Sequence, residues 1–129
     1  MHLFLDGYAK NNSLLCDAKQ LKRLLVELVD AVGMKPINSP IVIEYPAGNG
    51  YERGLSGVIF LAESSITVHT YPEYQFVFID VFSCREFVYK DIKRKLTNAF
   101  GMAVYTSCIF DRGITKGVIT PATLRGGER

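Results

Sequence analysis

Residues 61–74 read LAESSITVHTYPEY and crowd together groups able to do chemistry: Glu63, the adjacent serines Ser64 and Ser65, His69, and a second acid at Glu73. Cys84 follows a short way downstream. A serine hydroxyl is a weak nucleophile and must be aligned against one carbonyl to react. An imidazole moves protons near neutral pH, and a thiol near its ordinary pKa can give one up. Each group also has an ordinary structural explanation. Serines start strands and cap turns, a lone histidine is commonly a hydrogen-bonded polar residue, and cysteine packs as a small apolar side chain. Their concentration in one strand-turn-strand unit is what points to chemistry.

Two nucleophile schemes can be tested on spacing. A Ser/His/Asp hydrolase would carry a Gly-x-Ser-x-Gly elbow, and Gly54-Leu55-Ser56-Gly57 lacks it. Cys84 and His69 could meet across neighbouring strands with Asp80 orienting the imidazole, but no stretch supplies an evident oxyanion hole.

The elements that must position these groups follow from periodicity. Asp17 and Gln20 have capping-box spacing. Behind them Leu21, Leu24, Leu25, Leu28, Val29 and Val32 recur as one face of a helix, with Gly33 placed to end it. A second helix is predicted over residues 89–100, with Ile92, Leu96, Ala99 and Phe100 on one side and Gly101 at its end. Strands are predicted over 2–8, 40–45, 57–61, 66–70, 75–84 and 102–110, and a loop over 46–50. In the fifth of these, Phe76, Phe78, Asp80 and Phe82 alternate with Val77, Ile79 and Val81, so both faces are expected to be covered. The tail from Arg112 onward is rich in Gly, Thr and Arg and is expected to pack loosely. The order β-α-β-β then β-β-α-β predicts an α+β fold, a two-layer sandwich of a mainly antiparallel β-sheet with helices on one face.

Composition narrows the function classes. A chain of 129 residues suits a single domain, residues 1–129, that buries roughly two thirds of its unfolded surface. A net charge of +2 with scattered bases gives no footprint for nucleic acid. Lys19, Lys22 and Arg23 read as one solvated helix face. No apolar run reaches membrane-spanning length, and Met1-His2-Leu3-Phe4-Leu5-Asp6 lacks the start of a signal peptide. Cys16, Cys84 and Cys108 have no metal-ligand spacing, so no metal is expected. The expectation is a cytoplasmic protein with reduced thiols.

Taken in order, Gly54-Leu55-Ser56-Gly57, Ala62-Glu63-Ser64, Thr67-Val68-His69-Thr70-Tyr71-Pro72-Glu73 and Asp80-Val81-Phe82-Ser83-Cys84 resemble the prokaryotic S-adenosylmethionine decarboxylase proenzymes. The opening His2-Leu3-Phe4-Leu5-Asp6-Gly7-Tyr8 resembles that family's first strand, and the likeness runs from residue 2 to about 105. By this resemblance the proenzyme cuts itself between Glu63 and Ser64. The Ser64 hydroxyl would attack the Glu63 carbonyl, turning amide into ester. β-Elimination and hydrolysis would leave a pyruvoyl group at position 64 as the cofactor. Ser56 and His69 match the family's processing pair. Ser64 and His69 are five residues apart and would face opposite sides of a regular strand, so a bulge or break is expected near Ser64.

The resemblance further implies a Schiff base between substrate amine and pyruvoyl group, with Cys84 as proton donor to the decarboxylated carbon. Glu73 matches the acid that binds the ribose hydroxyls. Tyr71 stands where the family has tryptophan or phenylalanine to stack on adenine, and Tyr51 is the nearest aromatic for the other side of that ring. Ser65 stands where the family has histidine. The implied product is decarboxylated S-adenosylmethionine for spermidine and polyamine synthesis. Alternatives are the same chemistry on L-arginine or L-ornithine, with Glu52 or Glu73 pairing the basic side chain, and an uncleaved regulatory relative without activity. The Glu52-Arg53 pair itself reads as an exposed loop. The implied assembly is a homodimer whose protomers each hold chains 1–63 and 64–129 interleaved in one sheet, with sites built across two protomers.

Overall fold

The computed structural model describes residues 1–46, 48, 50, 52–112, 114, 115, 118 and 119. Strand β1 (His2–Tyr8) leads into two helices, α1 (Asn12–Cys16) and α2 (Ala18–Val32). Asp17 caps α2 by accepting from the backbone N–H groups of Lys19 and Gln20, and the Gln20 side chain donates back to Asp17 Oδ2 at 3.2 Å. All six apolar residues at helical spacing, from Leu21 to Val32, are buried. Each such side chain contributes about 1.5–3 kcal/mol when fully withdrawn from water. Gly33 ends the helix with φ 78, a left-handed conformation that glycine adopts without steric cost.

Strands β2 (Ile41–Tyr45), β3 (Gly54–Leu61), β4 (Ser64–Tyr71) and β5 (Phe76–Phe82) follow, then helix α3 (Tyr89–Phe100) and strand β6 (Tyr105–Phe110). The six strands form one sheet in the order β2-β3-β4-β5-β1-β6, every neighbouring pair antiparallel. Thus β1 lies between β5 and β6, two strands from the far end of the chain. A separate pair, β7 (Ile114–Thr115) and β8 (Val118–Ile119), lies beyond. The rest of the expected loose tail falls outside the described residues. Among those described, no helix is long and apolar enough to cross a membrane.

The helices cover one face of the sheet. Leu3, Leu5, Ile66, Val68, Val77, Ile79 and Val81 point into that layer and are at most 1% exposed. Thr70 shares it and is fully buried: its Oγ1 accepts from the Leu55 N–H at 2.9 Å and donates to the Leu15 carbonyl at 2.8 Å. A buried hydroxyl needs both partners, and these two tie α1 to β3 and β4. Beside it Gly54 lets the strands approach, because a Cβ there would collide with the Thr70 carbonyl oxygen.

The other face differs from the sequence expectation. Of the residues of β5 that face this way, Phe76, Asp80 and Phe82 are only half-buried and Phe78 is 39% exposed. Their rings cluster edge to face with neighbours instead: Phe76–Phe78 at 5.1 Å, Tyr71–Phe78 at 5.5 Å and Tyr8–Phe76 at 5.0 Å. Alternation of large apolar residues signals two apolar faces, and among the described residues only one is fully packed.

Candidate active site

Strands β3 and β4 are joined by the two-residue turn Ala62–Glu63, with Leu61 opposite Ser64. The turn is braced on its other side, where Ala62 N–H donates to the Lys35 carbonyl at 3.1 Å and Ile37 N–H to the Phe60 carbonyl at 2.9 Å. Glu63 adopts φ 64, a left-handed conformation that costs a residue with a Cβ about 1–2 kcal/mol. The bond between Glu63 and Ser64 is therefore the point where a strained turn meets a regular strand.

Ser64 is 7% exposed, and its Oγ accepts from the backbone N–H of Cys84 at 2.9 Å. With a lone pair held this way, the hydroxyl oxygen is fixed in place. Cys84 itself is exposed, in a bend after β5. The bend is anchored through buried Ser83, which exchanges backbone hydrogen bonds with Met1 at 2.8 and 2.9 Å. The Ser83 Oγ also accepts from the Arg85 N–H at 3.0 Å. The strand order thus brings Ser64 and Cys84 together across twenty residues of sequence.

The remaining residues gather at the other end of β4. His69 lies between Ser56 on β3 and Phe78 on β5. Its Nδ1 is 2.9 Å from Ser56 Oγ, so the processing pair of the sequence reading is in contact. Tyr71 packs against Phe78, and a single 3₁₀ turn, Pro72–Tyr74, carries Glu73. Glu73 Oε1 is paired with Arg53 Nε at 3.2 Å, and Arg53 Nη2 donates to Cys16 Sγ at 3.5 Å. Tyr74 donates to Glu52 at 3.3 Å. Next to Arg53, a cleft of about 430 Å³ opens between α1, the end of β2 and the start of β3, lined by Cys16, Glu44 and Tyr45 among others. Tyr51 lies outside the described residues.

One expectation fails. Strand β4 has no bulge: its register with β3 is continuous from Leu61 opposite Ser64 to Ser56 opposite His69. The turn at Ala62–Glu63 takes up the strain just before the strand begins, so nothing resets the alternation. Ser64 points to the helix layer and His69 to the open face, about 17 Å apart along the strand. Nor does Asp80 orient His69. Its Oδ1 pairs with His2 Nε2 at 3.0 Å, and Cys84 sits with Ser64 rather than with His69. On the same open face, burial and then the neighbouring Asp80 carboxylate raise the pKa of Asp6 above its ordinary value.

Sequence reasoning missed Arg53, Cys16 and Thr70. Thr70 had a signal, as a polar residue that shares with Ser64 the buried parity of Ile66 and Val68. Arg53 and Cys16 meet only because α1 crosses the start of β3, and no local pattern carries that.

The sequence pattern of the S-adenosylmethionine decarboxylase family matches residues 1–113. A protein of Thermodesulfovibrio yellowstonii, named S-adenosylmethionine decarboxylase proenzyme, is 33% identical over 115 residues, 88% of this chain and 80% of that protein. An arginine decarboxylase proenzyme of Caldivirga maquilingensis is 31% identical over 85 residues, 66% of this chain and 61% of that protein. The crystal structure of the adenosylmethionine decarboxylase from Aquifex aeolicus superposes with a TM-score of 0.74 at 20% identity, covering 93% of this chain and 95% of that one. This last likeness concerns the fold.

Proposed function

We propose that this chain, which belongs to the S-adenosylmethionine decarboxylase family, is a self-processing decarboxylase proenzyme acting on S-adenosylmethionine. The observation that carries the reading is the Glu63–Ser64 junction, where a left-handed residue precedes a buried serine whose oxygen is held by the Cys84 N–H. These residues fit a pyruvoyl group made from Ser64 itself, since the serine already stands against the scissile turn. Such a group supplies the electron sink that lets an amino acid lose its carboxylate as CO₂.

The chain's own residues then have separate tasks. Ser64 Oγ attacks the Glu63 carbonyl, and the left-handed Glu63 contributes strain that the cleavage relieves. His69 moves the protons and Ser56 steadies the developing oxyanion. Cys84, exposed beside position 64, delivers a proton to the carbon that loses CO₂. Glu73 accepts from neutral hydroxyls of the substrate, and Tyr71 offers a ring to its base.

Within one chain Ser56 and His69 face away from Ser64. A second copy completes the site by lending its own Ser56–His69 pair to the Ser64 end of β4. We read the functional unit as such a homodimer, each protomer cut into residues 1–63 and 64–129.

A second reading keeps the chemistry with arginine or ornithine as substrate, supported by relatives named arginine decarboxylase proenzymes. Intact mass under denaturing conditions tests the shared part. Two fragments parting between Glu63 and Ser64, the second without a free amine, are expected. One unbroken chain would instead favour a regulatory relative that never cleaves. CO₂ release from S-adenosylmethionine, L-arginine and L-ornithine then separates the substrates.

A further inference from the structure

We propose that Arg53 is a specificity-determining residue, which holds Glu73 in a neutral ion pair and so reserves it for hydroxyl groups while turning away the cationic side chain of a basic amino acid. The inference rests on the reading of Glu73 as the acid that meets the substrate. Its own evidence is the fork that Arg53 makes. Nε reaches Glu73 Oε1 at 3.2 Å while Nη2 reaches Cys16 Sγ at 3.5 Å, so the guanidinium is held at two points on two elements. Gly54 fixes where the fork starts, since the backbone there lies against the Thr70 carbonyl and tolerates no Cβ.

Two consequences follow for a ligand. The pair occupies one Glu73 oxygen and, among the described residues, leaves the other free, which suits a neutral diol whose hydroxyls donate to the carboxylate. A guanidinium or ammonium aimed at Glu73 meets Arg53 first. It must displace the pair or lie beside a cation, and like charges at contact repel. Glu44 lines the adjoining cleft and Glu52 stands by Tyr74, whereas Arg53 is the cation among the described lining residues. Without Arg53 the neighbourhood is acidic and draws basic ligands in.

The test compares Arg53→Ala and Arg53→Lys with the parent, all in a Ser64→Ala background that cannot cleave. Calorimetry reads the binding of S-adenosylmethionine and of L-arginine. Arg53→Ala is expected to weaken S-adenosylmethionine about tenfold and to strengthen L-arginine about tenfold, a shift of about a hundredfold in selectivity. Arg53→Lys keeps the charge without the fork, and is expected to keep the bar against L-arginine while weakening S-adenosylmethionine. Equal losses for both ligands would make Arg53 a contact for the carboxylate they share and would overturn the proposal, as would an unchanged ratio or binding of neither ligand by any variant. Failure of the decarboxylase reading shows elsewhere, as a parent chain with Ser64 intact that stays in one piece and releases no CO₂.

Discussion

At the Ser64 end of β4 the polar contacts come from backbone. The Cys84 N–H holds the serine, Met1 and Ser83 hold the bend, and residues 35–37 brace the turn. At the His69 end they come from side chains near or on an open face: Ser56 to His69, Arg53 to Glu73, Tyr74 to Glu52. The difference separates two kinds of demand. A serine that must strike one carbonyl is best held by groups that cannot rotate, because small misplacement costs large factors in rate. Groups that carry protons or greet a ligand can sit on adjustable side chains, to be set when another molecule covers them. The comparison predicts that substitutions at the first end abolish events and those at the second grade them.

The largest effect belongs to Ser64→Ala, which removes the attacking oxygen. It is expected to give one uncut chain with no decarboxylation, and cleavage at the same bond would show that the serine is not the source of the cofactor. His69→Ala comes next and is expected to slow self-cleavage by about 10²–10⁴-fold, seen as uncut chain hours after refolding. Co-expression with the Ser64→Ala chain sharpens the point. If the pair acts from a second copy, the His69→Ala chain is cut in the mixed assembly, whereas persistent failure would place both ends of β4 in one protomer's site. Cys84→Ala is expected to cleave normally but to release CO₂ about a hundredfold more slowly. Full turnover by that variant would take the proton delivery away from this thiol.

The smallest effect concerns the open face itself. Burial and Asp80 disfavour the charged form of Asp6 in the folded chain. The stability that protonation supplies is fully present below the ordinary value of 3.8, and is lost as pH rises through the raised folded value. Asp6→Asn should accordingly raise the melting temperature slightly at pH 7, with the gain fading as pH falls through the raised folded value and gone below 3.8. A gain that persisted unchanged in acid would point to packing rather than charge.

Local chemistry explains which parts could be read beforehand. Helix α2 was legible because cap, apolar stripe and stop agree. Helix α1 was not, since five residues show no period, and only Asn11 accepting from Leu14 N–H marks its start. Strand β4 was foreseen two residues short at its start and one at its end, as serines look like turn residues until a partner strand pairs them. The parity of Ser64 and His69 was visible in their spacing and held. What failed was the bulge expected near Ser64, because the left-handed turn at Ala62–Glu63 takes up the strain before the strand begins and leaves its register continuous. The meeting of Cys84 with Ser64 depends on the pairing of β4 with β5, and the fork from Arg53 to Cys16 on a helix crossing a strand. Both are tertiary facts.

The position of β1 between β5 and β6 decides what the proposed cut after Glu63 would do to the sheet. Once the backbone is severed after Glu63, the sheet reads, strand by strand, first chain, first chain, second, second, first, second. No strand pair is lost, so the native state barely registers the cut. The unfolded state does, because it falls into two molecules. Unfolding then carries the entropy of dissociation, the midpoint depends on protein concentration, and refolding becomes a second-order encounter where the uncut chain needs only itself. If the proposed cleavage occurs, recovery from unfolding becomes dependent on dilution, and assembly from intact precursor is the dependable route to the cleaved form.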